Sequence, residues 1–407
     1  MAKTKVKYLA VEGLPKGYLL LLGVLGLSTL IGVLSAHHME TEGHIITGMN
    51  NQIVWGLPHV FAVFLIVAAS GALNIASISS VFKRPIYKPL ARLSGVVAIA
   101  LLVGGVMVLV LDLGRPDRLL VTITHVNPKS IFTWNIVLYS GFIGVVVVYL
   151  WMMMERKMNA YSRPVGIAAF IWRLVLTTGT GSIFGFLVAR QGYDAAIYAP
   201  MFIVMSFAYG LAVFILILFA AYKATNRELG DKVVQRLAAL LGIFSTGALF
   251  FVAVYHLTNL YATEHHGWDA FVLLGRNGGG VYATVFWLVQ VILGSLVPIA
   301  LVFSGLAHQS RKLLGLAAAL VILGGFGQMY VTIIGGQAYP LVLFPGSEIT
   351  SSFFDGVAGS YSPSIWEFLL GLGGFSLALA IVAFAVKILP FLPESLADSV
   401  VDPHHSD

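Results

Sequence analysis

Ten long apolar runs divide the 407-residue chain, and they constrain its fold more than any other feature. A helix needs about 20 consecutive apolar residues to cross the ~30 Å hydrocarbon layer of a bilayer. We therefore predict an all-α integral membrane protein with ten transmembrane helices, a single membrane domain over residues 1–407 and a polar cytoplasmic tail at 390–407. The predicted spans 1 to 10 lie near residues 17–36, 52–80, 91–111, 131–154, 164–189, 197–222, 237–260, 280–306, 313–335 and 364–389.

Composition supports a membrane protein and excludes several kinds of redox site. Charged residues make up 10% of the chain, whereas a soluble protein has about a quarter. The net charge of +6 does not indicate nucleic-acid binding, because Lys and Arg are spread between the spans, where anionic lipid is the expected partner. The chain has no Cys, which excludes disulfides, thiolate-held iron–sulfur clusters and covalently attached c-type haem.

The distribution of basic residues predicts the orientation of the chain. Eighteen of the 24 Lys and Arg residues fall in segments on the side of the N-terminus, and five fall in loops on the other side. Because basic residues accumulate on the inner side of membranes, we expect both termini to be cytoplasmic in the cell (inner) membrane. Eight of the eleven histidines, in contrast, fall at or near the outer face. The first run, Gly17–Ala36, is predicted to be a retained helix, since no small-residue cleavage site follows it.

A faint internal repeat links the second and sixth spans. Span 2 begins near Pro58 and continues into Gly71, and span 6 begins near Pro200 and continues into Gly210. Four helices separate the two copies, so both copies have the same membrane orientation. This pattern predicts a parallel repeat.

The loop between spans 3 and 4 concentrates charge on a side that is otherwise poor in it. It contains Asp112-Leu-Gly-Arg-Pro-Asp-Arg118, then His125, then Asn127-Pro-Lys-Ser130 before Trp134. Charge at the rim of a hydrocarbon layer is costly unless it is paired. Two interpretations remain open. In the first, an ion pair within the loop locks the hairpin, either Asp112 with Arg115 or Asp117 with Arg118. In the second, the charged residues of the loop together dock a partner: Asp112, Arg115, Asp117, Arg118 and His125.

The chain resembles the polysulfide reductase membrane-subunit (NrfD-like) family in its span count, in Leu111–Arg118, and in Asn127–Ser130 followed by Trp134. Its length and span count look most like the P-subunit branch (DsrP, or HmeB-like) of the sulfite-reduction-associated membrane complex. The resemblance implies two pseudo-repeated four-helix bundles, spans 2–5 and 6–9, with flanking helices. It also implies an outer-face quinone site fed by an iron–sulfur, ferredoxin-like subunit, together with a haem b membrane subunit and a c-type cytochrome.

Carrying the family pattern over residue by residue is only partly possible. Arg115 and Pro116 match the loop motif, Ser130 and Trp134 match one wall of the family's quinone pocket, and His59 lies on the span that supplies another wall. In relatives proposed to move protons, a carboxylate follows the tryptophan of span 4, and a histidine sits midway along span 2. Here Asn135 and the stretch 68–70 occupy those places, which weakens the case for proton pumping through this bundle.

A quinone head needs two hydrogen-bonding groups, a flat apolar slot and a route for protons. His59, Asn135 and Tyr139 could supply the polar groups, and Trp55 and Trp134 could supply the walls. Asn135 and Tyr139 are four residues apart and share one helix face, where hydrogen bonds between helices are the alternative. His59 follows Pro58 and is either the catalytic proton relay or a satisfied helix cap.

The favoured hypothesis is a quinone-reactive subunit of a respiratory complex. It would exchange electrons between a menaquinone-type pool and an extracytoplasmic iron–sulfur subunit in anaerobic sulfur or sulfite metabolism. The chain itself would hold no haem, iron–sulfur cluster or metal. A secondary transporter, or a proton-translocating subunit without quinone chemistry, is the alternative. A b-type cytochrome is disfavoured, because the span histidines His59 and His256 lie near helix ends. Arg173 and Glu367 are the candidates for buried charges, and the outer cluster around Tyr255 and His256 is interpreted as an interfacial belt.

Overall fold

The structure is a computed structural model that describes residues 6–341 and 356–401. Within these ranges ten helices are long and apolar enough to cross a membrane, which confirms the predicted all-α, ten-span fold class. Spans 1 to 10 are Lys16–Glu42, Leu57–Ser80, Pro85–Leu111, Ile131–Met154, Asn159–Gly185, Tyr198–Thr225, Asp231–Tyr261, Gly280–Phe303, Arg311–Ala338 and Ile365–Ile388. The end of the predicted polar tail, with His404 and His405, lies outside the described residues.

The spans form two four-helix bundles with a pair of helices at one side. In the first bundle span 2 packs on spans 3 and 5, and span 4 closes the ring. In the second bundle span 6 packs on spans 7 and 9, and span 8 closes the ring. Spans 2 and 6 also pack on each other, whereas spans 1 and 10 form a pair that leans on spans 2 and 3. The expected two-bundle architecture is therefore present.

Burial follows this arrangement. The apolar window of span 2 is 89% buried, and that of span 1 is 22% buried. Lipid is as apolar as Leu or Val, so a peripheral span loses little by leaving its side chains facing outward. Span 2 is consequently the central helix on which the first bundle is built.

Spans 2 and 6 cross where two glycines face each other. A Cβ built on Gly71 would fall on the backbone carbonyl of Ser206, and a Cβ built on Gly210 would fall on the backbone of Gly71 and Ala72. Small residues allow membrane helices to approach at backbone distance, where dispersion contacts accumulate. The two positions of the faint sequence repeat therefore form the central contact between the bundles.

Several spans depart from regular α-helix. Span 2 is interrupted at Leu73, between the helices Leu57–Ala72 and Asn74–Ser80. Spans 8 and 9 contain π-helical segments, Val285–Leu296 and Val331–Gly335, a form that is frequent at functional sites. Spans 3 and 5 begin with the 3₁₀ turns Pro85–Leu90 and Asn159–Tyr161, and the loops contain the short helices Leu119–Thr124, His266–Leu274, Leu306–Gln309 and Asp398–Val401.

The two ends of the described chain meet on one face, which we call the terminal face. Strand β1, Tyr8–Leu9, pairs antiparallel with strand β2, Leu392–Pro393. The Arg227 guanidinium donates hydrogen bonds to carbonyl oxygens of both strands. Leu392 and Leu396 are fully buried, so the first part of the expected polar tail packs against the helices. We call the other side of the protein the opposite face.

The Gly71 crossing can be tested by substitution. Gly71→Ala should lower stability by about 1–3 kcal/mol, because the methyl group forces the span 2 and span 6 backbones apart. Gly144→Ala in span 4 is the matched control, since a Cβ there meets no atom within 4 Å, and Ala favours helix by about 1 kcal/mol. Thermal unfolding in detergent measures both variants. Equal melting temperatures for the two would contradict the close crossing.

Candidate functional site

A buried histidine–aspartate pair lies at the opposite face of the first bundle. The Nδ1 atom of His59, near the start of span 2, is 2.7 Å from Oδ2 of Asp112, which follows span 3 directly. The contact is close but is not aligned as a hydrogen bond, and neither carboxylate oxygen of Asp112 has a hydrogen-bond partner among the described residues. The Asp112 side chain is wholly buried. Buried polar atoms are almost always hydrogen-bonded, so this carboxylate requires an explanation.

The Leu-Gly-Arg-Pro turn explains why Asp112 points inward. Gly114 has a φ of +67°, and a Cβ there would lie 2.8 Å from Cε1 of His44. Only glycine adopts that conformation and admits the imidazole at little cost. Pro116 then begins a short 3₁₀ turn, for which its fixed φ is suited. The turn leaves Asp112 inside and directs the rest of the loop outward.

The expected pairing of the loop charges is wrong. Nε and Nη2 of Arg115 donate to the two carboxylate oxygens of Asp117 at 3.0 and 2.9 Å, and this bond lowers the pKa of Asp117. Both side chains are largely exposed. Arg118 and His125 are exposed as well. Among the described residues, the side chain of His125 hydrogen-bonds only to the neighbouring Thr124. These four residues form an accessible charged surface, while Asp112 belongs to the buried pair.

One aromatic ring stacks on His59, and two further rings pack against that ring. The indole of Trp55 stacks on the imidazole with the ring centroids 5.9 Å apart and the planes 23° apart. Phe132 of span 4 and Phe184 of span 5 present ring edges to Trp55, with centroids 6.0 and 6.2 Å away. Phe132 is 47% exposed. This group of rings beside His59, which we call the aromatic slot, therefore reaches the outer surface of the helices.

Trp134, expected as a second wall, lies elsewhere on span 4. Its side chain is half exposed, and its Nε1 donates to the carbonyl oxygen of Pro128. Phe132, two residues earlier, contacts the Trp55 ring instead. Trp134 was expected there because the family resemblance places one pocket wall at the start of span 4, but residues two apart on a helix point in different directions.

The second bundle holds Trp55 in place through Gln337 at the end of span 9. Oε1 of Gln337 accepts hydrogen bonds from the backbone amides of Val54 and Trp55, and Nε2 donates to the carbonyl oxygen of Trp55. Arg190 donates to the carbonyl oxygens of Gln337 and Gln52. Residues outside the first bundle thus fix the extended segment that leads into span 2.

Span 10 anchors the same segment through Glu367. Its carboxylate accepts hydrogen bonds from the amides of Gly48 and Ser364 and from the hydroxyl of Tyr361. The Tyr361 oxygen in turn accepts from the amide of Leu57, the first residue of span 2. Burial raises the pKa of Tyr361, and the bond to Glu367 acts in the same direction, so the hydroxyl stays protonated as a donor.

Asn135 and Tyr139 make their hydrogen bonds within span 4 and to span 5. Nδ2 of Asn135 donates to the carbonyl oxygens of Ile131 and Gly179, and the Tyr139 hydroxyl lies 3.3 Å from Oγ1 of Thr180. Bonding between helices was the alternative to a ligand role for these two side chains. Neither hydrogen-bonds to His59 or Asp112 within the described ranges, and their role at a ligand stays a prediction.

The second buried-charge candidate, Arg173, is hydrogen-bonded to a neighbouring helix through its terminal nitrogens, while its Nε has no partner among the described residues. It is fully buried in span 5, where Nη2 donates to Oδ1 of Asn74 on span 2. The rings of Phe170 and Phe207 lie 4.9 Å from its guanidinium carbon. No carboxylate of the described residues pairs with it. Arg173 therefore joins spans 2 and 5 rather than pairing with Glu367.

The second bundle contains a comparable histidine–aspartate pair. Nδ1 of His256 lies 2.8 Å from Oδ1 of Asp269, in hydrogen-bond geometry, at the same face of the membrane. The rings of Tyr255 and Phe286 contact the imidazole, and both rings are buried. The two histidine side chains are similarly buried, with 14% of His59 and 11% of His256 exposed, but only the second pair is aligned as a hydrogen bond. An interfacial belt was expected in this region, and the pairing could not be anticipated from a histidine and an aspartate thirteen residues apart.

Similar proteins span nearly the whole chain. The family model described as "Polysulphide reductase, NrfD" matches residues 46–340, which include both bundles and leave out spans 1 and 10. An Hdr-like menaquinol oxidoreductase integral membrane subunit of Archaeoglobus fulgidus is 28% identical over 98% of this chain and 99% of its own length. A selenate reductase subunit of Mesobacillus selenatarsenatis is 23% identical over 90% and 93%, and the menaquinone reductase integral membrane subunit of Nitratidesulfovibrio vulgaris is 21% identical over 89% of each chain.

The role of Gln337 in positioning Trp55 gives a prediction. Gln337→Ala removes three hydrogen bonds to residues 54 and 55, so amide exchange in this segment should rise about ten-fold. Hydrogen–deuterium exchange of peptides that cover residues 49–57 measures the change. Gln309→Ala, at an exposed position on the terminal face, is the control. Unchanged protection in the Gln337 variant would show that other contacts hold Trp55.

Proposed function

We propose, because the chain belongs to the polysulphide reductase NrfD family, that it is the quinone-reactive membrane subunit of an oxidoreductase complex. Relatives named as menaquinol oxidoreductase and menaquinone reductase subunits support this proposal and favour a menaquinone-type substrate. One observation carries it in this chain. Asp112 is a buried carboxylate with no hydrogen-bond partner among the described residues, and it contacts a histidine that stacks on Trp55.

The residues of this slot suit a quinone head. A flat ring can stack against Trp55, with the edges of Phe132 and Phe184 around it. Nε2 of His59 forms no hydrogen bond in the described part of the chain, so it is available to a quinone oxygen. The unbonded carboxylate oxygens of Asp112 favour this pair over His256 and Asp269, which already form a hydrogen bond with each other.

The pair of His59 and Asp112 can manage the protons of the reaction. Oxidation of a quinol releases two electrons and two protons, and reduction of a quinone takes up the same number. His59 accepts a proton at Nε2 from the head-group hydroxyl, while Asp112 stabilises the positive imidazolium at Nδ1. The proton then leaves toward the opposite face, since Asp112 lies at the end of span 3. The same residues act in reverse during quinone reduction.

The electrons need a carrier that this Cys-free chain cannot hold as a thiolate-bound cluster. The exposed charges of Arg115, Asp117, Arg118 and His125 support docking of an iron–sulfur, ferredoxin-like subunit above the slot. The relatives named as subunits of reductases support a multi-subunit complex, in which a haem b membrane subunit and a c-type cytochrome are further proposed partners. We further propose that both termini are cytoplasmic and that the complex acts in sulfur or sulfite metabolism.

The quinone site can be tested with paired variants in the assembled complex. His59→Ala should lower kcat for menaquinol-analogue oxidation about 100-fold, because the proton acceptor is lost. KM should change only about five-fold, the effect of one neutral hydrogen bond. Asp112→Asn should lower kcat in the same direction while keeping the side-chain shape.

His256→Ala and Asp269→Asn are the matched controls in the second bundle. They should leave kcat within about two-fold if the slot beside Trp55 is the site. A large loss in these variants alone would place quinone chemistry in the second bundle. Full turnover in all four variants would contradict quinone chemistry at either pair, whereas an unchanged complex that oxidises no menaquinol analogue would favour the transporter hypothesis.

The docking surface has its own test. Arg115→Ala should weaken retention of the iron–sulfur subunit about ten-fold, since interface arginines commonly contribute more than 1 kcal/mol. Quantitative mass spectrometry of the complex in mild detergent measures the subunit ratio. Arg276→Ala, an exposed arginine of the loop before span 8, controls for charge loss on the same face. Equal retention in the two variants, with unchanged turnover, would contradict docking through this loop.

A further inference from the structure

A cavity of about 460 Å³ opens at the terminal face, below the first bundle. The turn between spans 2 and 3 and the adjacent ends of spans 4 and 5 form its walls. Lys83, Lys88, Arg92 and Arg163 line it, and its described lining contains no Asp or Glu. None of these four residues forms an ion pair within residues 6–341 and 356–401. We call this cavity the basic pocket.

Arg92 is built into the wall of the basic pocket. Its Nη1 and Nη2 donate to the carbonyl oxygens of Pro390 and Met153, and its guanidinium lies 3.9 Å above the ring of Tyr8. These partners orient the group without neutralising its charge, because carbonyls and an aromatic face carry no net charge. A fixed positive charge at the membrane surface favours an anion as ligand.

The other cations stand at the mouth of the pocket. Lys83, Lys88 and Arg163 are exposed. Lys83 also has a φ of +54°, a left-handed conformation that is uncommon outside glycine, asparagine and aspartate. Such backbone outliers concentrate at functional sites, where the surrounding structure maintains them. Here the unusual turn places a lysine beside the pocket.

The second bundle carries a comparable cavity whose described lining also contains four cations and no Asp or Glu, but one of those cations is paired. It has a volume of about 520 Å³, lies between the end of span 6 and the start of span 9, and is lined by Lys223, Arg227, Arg311 and Lys312. Arg311 is paired with Asp231 at 2.8 Å, whereas the four cations of the basic pocket form no ion pair among the described residues. This second cavity is therefore a natural control.

We propose that the basic pocket binds the phosphate headgroup of an anionic phospholipid from the adjacent leaflet. Basic pockets between transmembrane helices bind anionic headgroups, and this one lies where four spans end at the membrane surface. Phe82 precedes the lining residue Lys83, Trp151 lies two residues before the lining residue Met153, and both rings are more than half exposed, so they can contact acyl chains. These apolar neighbours favour a lipid over a soluble phosphate.

The test uses the purified full chain after delipidation in neutral detergent. Phosphatidylglycerol should raise the melting temperature and remain bound in native mass spectrometry, whereas phosphatidylcholine and inorganic phosphate should do neither. Lys83→Ala/Arg163→Ala should weaken phosphatidylglycerol binding roughly 30-fold, since each basic residue contributes about five-fold. Lys223→Ala/Lys312→Ala removes the same charge from the second cavity and should leave binding within about two-fold.

Three outcomes would overturn the proposal. Equal binding by the first double variant and the unchanged chain would show that the basic pocket is not the site. Equal loss in both double variants would show a response to net charge alone. The same stabilisation by inorganic phosphate would show a site for a soluble anion. Both variants change exposed side chains and leave Arg92 in place, so the fold should persist, and circular dichroism confirms this.

Discussion

The hydrocarbon layer supplies no water to buried polar groups, and each such group must therefore find a partner within the protein. Most of the buried polar side chains discussed above meet this constraint. Glu367 accepts bonds from two amides and a tyrosine, Gln337 bonds to a backbone segment, and Arg173 lies against an amide oxygen and two rings. Asp112 departs from this pattern, because its nearest polar partner among the described residues is an imidazole in poor hydrogen-bond alignment. The proposed quinone site is our explanation for that departure.

The slot beside His59 depends on helices that do not line it. Gln337 at the end of span 9 holds the backbone of Trp55, and Tyr361, bonded to Glu367 of span 10, holds the first amide of span 2. A change in the packing of the second bundle would therefore move an aromatic wall in the first. This dependence gives a reason for the match of the family model to both bundles. The bundle without the proposed slot supplies part of its support.

Sequence was sufficient for the fold because hydropathy and the number of spans follow directly from the thickness of the bilayer. It also grouped His59 with Trp55, and the structure stacks these two rings at the start of span 2, while their role at a ligand stays a prediction. It assigned Asp112 to the docking surface, because nothing in the order Asp-Leu-Gly-Arg-Pro shows which charge turns inward. That direction follows from the positive φ of Gly114 and from His44 packed against it. The role of Gln337 could not be predicted from the sequence, since its contact with Trp55 joins residues 282 positions apart.

The pairing of span 1 with span 10 has a consequence for how the protein is made. Span 1 finds its main helical neighbour in span 10, and β1 finds its strand partner just beyond that helix. Ribosomes add about 5–20 residues per second, so the first helix spends tens of seconds in the bilayer before its neighbour is synthesised. Span 1 is apolar and only 22% buried, so it can remain in the bilayer with lipid as its only neighbour at little cost. The pair of spans 1 and 10 forms only when synthesis is nearly complete. A ribosome that stalls after span 9 would leave a chain that contains all the helices of both bundles but lacks the main helical neighbour of span 1.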